Sequence, residues 1–244
     1  MNYQEFSDFC KQSFKNNINT INITDEHIEK FYHLTNHMLK VNETMNLTAI
    51  KDKKLIILRH YVDSVFISKY LEENSNIIDV GCGAGFPTLP LAIFRPDLRI
   101  IALDSTAKRI DYVNSTAKML ELNNVTGISE RAEILGNDKQ YREKFDYATA
   151  RAVAALPILT ELCLPFVKIG GKFVAMKAQK AQEELTLSES AIKKCGGELI
   201  DVINKELLYN SGDREQRTVI ITSKVKQTPT ELPRHYSKIS KKPL

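Results

Sequence analysis

The residues best suited to chemistry form a glycine-rich turn, Gly81-Cys82-Gly83-Ala84-Gly85, directly after the apolar run Ile77-Ile78-Asp79-Val80. A strand ending in such a turn brings backbone N–H groups and the start of the next helix close to a ligand. A Cβ at Gly81 or Gly83 would obstruct a ligand lying across the strand's carboxyl end. The spacing is G-x-G-x-G, with Phe86 where a dinucleotide fingerprint needs its third glycine. That tilts the reading from a nicotinamide cofactor towards S-adenosylmethionine. Gly81, Gly83, Gly85 and Phe86 are the first cofactor candidates.

A second strand, Arg99 to Leu103, delivers Asp104, 23 positions beyond Gly81. An acid there can accept hydrogen bonds from both ribose hydroxyls, or cap the helix that follows. After a third strand comes Arg131-Ala132-Glu133, where an adenine ring should lie; backbone at Ala132 or Glu133 could read its edge, or the triplet could simply start a solvated helix. The fourth strand ends Asp146-Tyr147-Ala148-Thr149-Ala150-Arg151. It lacks the Asn/Asp-Pro-Pro-aromatic turn of enzymes that methylate exocyclic amines of bases. No cysteine stands in a Pro-Cys setting suited to attack on a pyrimidine ring: Cys163 lies on an apolar helix and Cys82 inside the turn.

The elements that must position these residues follow from periodicity. Residues 1–72 read as helices. Thr24 and Asp25 offer an N-cap before Ile28, Phe31, Leu34, Met38, Val41 and Met45 on one face, and Leu55, Leu58, Val62, Val65 and Phe66 mark a second helix over 52–72. From Asn76 strands alternate with helices. Pro87 suits the first turn of one helix, and Ser105 or Thr106 the cap of another. Further strands are expected at Val125–Ser129, Phe145–Thr149 and Lys172–Lys177, with helices near 153–168 and 178–195. Glu198–Ile203 and Thr218–Ser223 close as a pair without a crossover helix, so one of them runs antiparallel. The expected fold class is α/β: a seven-stranded, mostly parallel Rossmann-like sheet under an N-terminal helical cap. The divisions expected are 1–72, 73–224 and a basic tail over 225–244.

Of 244 residues 43% are hydrophobic and 26% charged, as in a globular protein. No run approaches the roughly 20 apolar residues of a membrane span, and no signal peptide is evident, so a cytoplasmic location is expected. The net charge of +4 sits in the tail: Lys224 to Leu244 holds six Lys or Arg and one acid, leaving the rest of the chain at −1. Such a tail suits a polyanion, nucleic acid rather than membrane, or is a solvated extension. Cys10, Cys82, Cys163 and Cys195 form no C-x-x-C pair. His33 and His37 have a ligand spacing but no acidic partner in a metalloprotease pattern, so no metal is expected.

Taken together the segments resemble the bacterial small-subunit ribosomal RNA guanine-N7 methyltransferases, the glucose-inhibited division protein B family. The resemblance runs through Met45-Asn46-Leu47-Thr48, Arg59-His60-Tyr61-Val62-Asp63-Ser64, Asp79 to Pro87, Asp104-Ser105 with Lys108-Arg109, and Arg131-Ala132-Glu133. It continues in Ala150-Arg151-Ala152 and in Leu232-Pro233-Arg234 leading to Lys241-Lys242-Pro243-Leu244. It implies that Gly81, Phe86, Ala132, Glu133 and Arg151 contact S-adenosylmethionine, and that 16S ribosomal RNA or the small subunit is the partner. Two positions depart from the family pattern: Ala178 follows Met176-Lys177, and Thr88 stands where many members have glycine.

The implied reaction needs little machinery. Guanine N7 carries a lone pair and no proton, so alignment rather than a general base is the requirement. The base gains positive charge, so an acid nearby helps and a cation aimed at it hinders. No essential proton acceptor is therefore expected, and Arg151 is cast as an orienter of the cofactor or a phosphate ligand. His60 and Asp63, three apart on one helical face, either shape the base pocket or form a polar surface pair; Asn46 caps or turns the chain. Lys177, Arg214, Arg217 and Arg234 complete the substrate-binding candidates. A monomer is expected. The alternatives are a methyltransferase of proteins or small molecules, and a non-catalytic RNA-binding assembly factor; the intact turn and Asp104 disfavour the latter.

Overall fold

A computed structural model describes residues 1–244 except Ala152, Gln179 and Lys180. The chain opens with α1 (Tyr3–Asn17) and α2 (Asp25–Met45), each begun by a capping box, Asn2 with Glu5 and Thr24 with His27. The apolar stripe of α2 buries Ile28, Phe31, Leu34 and Met38, while Val41 and Met45 are only partly buried. Asn46 then takes the left-handed conformation (φ 50°, ψ 51°) that ends the helix, the turning role expected of it.

The helix expected over 52–72 is broken into four pieces: α3 (Lys53–Ile56), a π-helical turn (Ile57–Val62), α4 (Asp63–Val65) and a 3₁₀ turn (Phe66–Tyr70). The widened turn accommodates burial on nearly every side, with Ile56, Ile57, Leu58, Tyr61 and Val62 all in the core. His60 and Asp63 are thereby turned to a cleft at the carboxyl ends of the central strands of the sheet.

Among the described residues the remaining chain forms seven strands, β1 (Asn76–Val80), β2 (Arg99–Asp104), β3 (Val125–Ser129), β4 (Phe145–Arg151), β5 (Val167–Lys177), β6 (Gly197–Leu208) and β7 (Arg214–Lys224). They lie in the order β3-β2-β1-β4-β5-β7-β6, all parallel except β7, which runs antiparallel to both neighbours. The crossovers are α5 (Thr88–Phe94), α6 (Ala107–Met119), α7 (Ala132–Leu135), α8 (Leu156–Cys163) and α9 (Ala181–Lys194). Helix α8 stops well short of residue 168 because Leu164-Pro165-Phe166 forms a 3₁₀ turn and Val167 already enters β5. The helix expected over 178–195 is α9, and its positions 179 and 180 lie outside the described residues. Arg214 and Arg217 are within the last strand rather than before it.

Alternation along the strands sends Ile77 to one face of the sheet and Ile78 to the other, and likewise Tyr147 and Ala148. The first face shares a single hydrophobic cluster with α1, α2, α5 and α6. The second packs on α8, α9 and the C-terminal segment, which ends in α10 (Tyr236–Lys241) and buries Leu232 and Ile239. That segment is no loose extension. Arg142 donates to the carbonyls of Leu232, Thr228 and Pro229, and the fully buried Lys224 donates to Leu164 O and lies 3.2 Å from Glu143. No helix among the described residues is long and apolar enough to cross a membrane.

Candidate active site

The glycine turn is sewn to the neighbouring strand. Gly81 and Cys82 N–H groups both donate to Leu103 O (2.7 and 3.0 Å), and Gly83 N–H donates to Asp104 Oδ2 (3.0 Å). Gly81 sits at φ +75°, and a Cβ there would lie 2.6 Å from Val153, so backbone and packing both exclude a side chain. Gly83, at φ +56°, faces open space in the cleft, the close approach that a ligand needs. Gly85 serves packing instead: a Cβ would meet Leu89 of α5 at 2.6 Å.

Asp104 does part of what a helix cap would do. Its Oδ1 accepts from Thr106 N–H at 2.8 Å while neither Ser105 nor Thr106 caps α6 with its own side chain. A carboxylate offers about four lone-pair sites, so two remain for ribose hydroxyls. Beneath the turn lies Asp79, fully enclosed, accepting from Thr88 Oγ1 (2.7 Å) and Thr149 Oγ1 (3.1 Å). Burial pushes its carboxyl up to about 6 despite the two hydroxyl donors that pull the other way. It ties α5 and β4 under the cradle, and explains the threonine at position 88.

Against the end of the turn, the π-helical segment and β4 build a wall of the cleft. The His60 ring stacks on Phe86, centroids 4.3 Å apart and 13° from parallel, and the Arg151 guanidinium stands 5.3 Å from the same Phe86 ring. Arg151 also donates to Arg59 O (2.9 Å), to Asp63 Oδ2 (3.4 Å) and to His60 Nδ1 (3.3 Å). A guanidinium has only donors, so His60 Nδ1 accepts and its proton resides on Nε2, 3.1 Å from Thr48 Oγ1. Burial, with the Arg151 charge adding to it, drives the imidazole down to about 3; it is neutral at physiological pH. Asp63 lies between two cations, since Arg217 Nε is 3.3 Å from its Oδ1. Glu215 repeats the arrangement between Arg217 (2.9 Å) and Arg59 (3.0 Å). Three guanidiniums and two carboxylates thus alternate along one wall. The neutral His60 and buried Asp63 are no polar surface pair.

Turn and wall enclose one cleft of about 1230 Å³, larger than a pocket for one small ligand. Ala132 and Glu133 line its far end at the start of α7. Glu133 is buried, with Oε1 accepting from Tyr236 N–H (3.3 Å) and lying 3.7 Å from Arg131.

A family model described as rRNA small subunit methyltransferase G matches residues 27–209, well over half of the chain. A ribosomal RNA small subunit methyltransferase G from Acetivibrio thermocellus is 43% identical over 92% of this chain and 91% of its own. Its counterpart from Oceanobacillus iheyensis is 41% identical over 92% and 94%. The chain belongs to the rRNA small subunit methyltransferase G family. The solved structure of an S-adenosylmethionine-dependent methyltransferase from Methanosarcina mazei, 18% identical, superposes with TM-score 0.52 over 66% of this chain and 98% of that one, a likeness of fold.

In this family of methyltransferases the methyl donor is S-adenosylmethionine, and the cleft fits it. Open space over Gly83 admits a ligand against the backbone, Asp104 keeps two lone-pair sites, and the first N–H groups of α7 have no partner within their helix. The expected cofactor candidates Gly81, Gly83, Phe86, Asp104, Ala132, Glu133 and Arg151 all border this one cleft, whereas Gly85 lies behind it. Of the substrate candidates, His60, Asp63, Lys177 and Arg217 also line it. Lys177 is already engaged, 2.6 Å from Glu184 and donating to Ala154 O at 2.8 Å. Arg214 and Arg234 do not line the cleft. Arg214 lies outside the cleft, exposed and paired with Glu206 at 2.7 Å. Arg234 binds Glu161, whose side chain is wholly enclosed, through two side-chain bonds of 2.8 and 2.6 Å, so it anchors the C-terminal segment. Ala152, from the Ala150-Arg151-Ala152 motif, lies outside the described residues.

Sequence reasoning missed Asp79, Arg59, Glu215 and Tyr236. Asp79 left one signal, an acid in an otherwise apolar strand. Arg59 showed only as the first residue of Arg59-His60-Tyr61-Val62-Asp63-Ser64. Glu215 and Tyr236 left none, because Glu215 meets Arg59, and Tyr236 meets Glu133, across long stretches of chain. Among the described residues no group of three or more His, Cys, Asp or Glu side chains gathers to hold a metal. All four cysteines are buried and free.

Proposed function

We propose that the chain transfers the methyl group of S-adenosylmethionine to N7 of a guanine in small-subunit ribosomal RNA. The named RNA class of its relatives supports the substrate. The choice of a ring nitrogen rests on one observation: the acceptor groups of the wall are already committed. His60 Nδ1 receives Arg151, Asp63 lies between Arg151 and Arg217, and Glu215 between Arg217 and Arg59. Such a wall is poor at taking a proton and good at fixing a planar group.

Bound S-adenosylmethionine supplies an electrophilic methyl on sulfonium. The protein's part is alignment. The turn and Asp104 orient the nucleoside and amino-acid parts, the Phe86–His60 stack keeps Arg151 in place, and the wall holds the guanine edge-on to the methyl. The attacking N7 would turn cationic as its bond to the methyl forms and the methyl–sulfur bond breaks, the electron pair staying on sulfur as a neutral thioether. The carboxylates of Asp63 and Glu215 keep the arginines from acting as an unbalanced positive field.

Single-turnover methyl transfer to small subunits lacking the modification tests this directly. The rate is expected to be flat within about two-fold from pH 7 to 9, because no group must surrender or accept a proton. A tenfold rise per pH unit would show that a base deprotonates the acceptor and would overturn the N7 assignment.

A further inference from the structure

The C-terminal segment over 225–244 does more than extend the chain. We propose that it completes the cofactor site, with the Tyr236 ring forming the wall against which the adenine of S-adenosylmethionine stacks. The inference rests on the cofactor reading of the cleft and goes beyond it, since charge alone assigns the segment either to a polyanion or to solvent.

Three observations carry it. First, Tyr236 lines the same cleft as Asp104, Ala132 and Glu133, and it is 37% exposed, so its ring is not spent on the core. An aromatic ring left facing a nucleoside-sized space is a stacking platform, which any base face can use. Second, the backbone that carries the ring is anchored on both sides in the chain. Before it, Arg234 is fixed to the enclosed Glu161; after it, Ile239 is wholly buried. Third, the segment is knitted to the element that supplies the adenine-end residues. Tyr236 N–H donates to Glu133 Oε1, and Asn137 Nδ2 donates both to Glu133 O (2.9 Å) and to Pro233 O (3.1 Å). Residues 133 and 233–236 therefore move as one piece, and what orders the segment also orders α7.

The chemistry specifies the ligand part: a purine ring, through its face. Methionine, which has none, should be indifferent to position 236. The chain contains no tryptophan, so Tyr236→Trp introduces a single fluorescent reporter at the site. Its emission is expected to change on adding S-adenosylmethionine or adenosine and to stay constant with methionine. In calorimetry, Tyr236→Ala is expected to weaken both S-adenosylmethionine and adenosine by about ten-fold, Tyr236→Phe to bind like the parent, and both to unfold at the parental temperature. An alanine variant that binds both ligands with parental affinity overturns the proposal, as does a tryptophan whose emission ignores adenosine. If the parent chain itself binds no S-adenosylmethionine, the cofactor reading fails with it, and that result is distinct from failure at position 236 alone.

Discussion

His60 lies flat against Phe86, 4.3 Å between centroids, and takes the Arg151 guanidinium on its Nδ1 at 3.3 Å. One neutral imidazole thus fixes both a ring and a cation where the wall meets the glycine turn. Stacked pairs contribute about 0.5–1.5 kcal/mol beyond area burial. His60→Ala is therefore expected to weaken S-adenosylmethionine by about 2- to 10-fold and to lower kcat further, since Arg151 loses an acceptor. Calorimetry with steady-state kinetics checks both; unchanged binding and turnover would remove His60 from the site.

The same residue gives a pH dependence of stability. Its ordinary value is 6.5, and in the folded protein it falls to about 3. Below pH 6.5 the unfolded chain binds a proton that the native state refuses, so stability is lost as pH falls from 6.5 towards 3. Asp79 works oppositely, because its folded value of about 6 exceeds 3.8 and the native state binds the extra proton between them. His60→Gln should remove its share: by pH 5 the parent should lose up to about 2 kcal/mol more than the variant, relative to pH 7. Urea unfolding at the two pH values measures it, and parallel losses would contradict the buried neutral histidine.

Asp63 separates two arginines, Arg151 at 3.4 Å and Arg217 at 3.3 Å. Removing the carboxylate leaves two enclosed cations facing each other, a defect of about 3–5 kcal/mol. Asp63→Ala should show this in denaturant titration, and a midpoint within experimental error of the parent would refute the bridge.

Asp104→Ala removes the acceptor of Gly83 N–H along with any ribose bonds. Cofactor binding is expected to weaken by about 1–3 kcal/mol in calorimetry. Parental affinity would place the ribose elsewhere.

Much of this architecture is legible in the chain. The apolar runs of β1, β2 and β4 and the glycines between them announce the sheet, and the lack of a helix between β6 and β7 announces the antiparallel strand. The break across 53–70 is not legible, because an apolar period assumes a uniform helix and a π turn changes the count. Nor is the wall, where Arg59 meets Glu215 across 156 positions of chain, nor the anchor of the C-terminal segment, where Arg234 meets Glu161 across 73. Charge alone made the C-terminal segment a basic tail, yet Lys224 and Arg234 are consumed by internal partners.

What stays outward on that segment is Lys226, Lys238, Lys241 and Lys242. Changing Lys238, Lys241 and Lys242 together to Gln should lower the salt slope of RNA binding by about 2, with the fold intact. An unaltered slope would mean that these lysines meet only solvent.

The central claim is the acceptor atom, and nucleoside mapping tests it most directly. Small subunits and naked ribosomal RNA from cells lacking the enzyme are incubated with the protein and labelled S-adenosylmethionine, then digested to nucleosides. The expected product is label in 7-methylguanosine from at least one of the two substrates. Label in any other nucleoside, or none in either substrate, would contradict it.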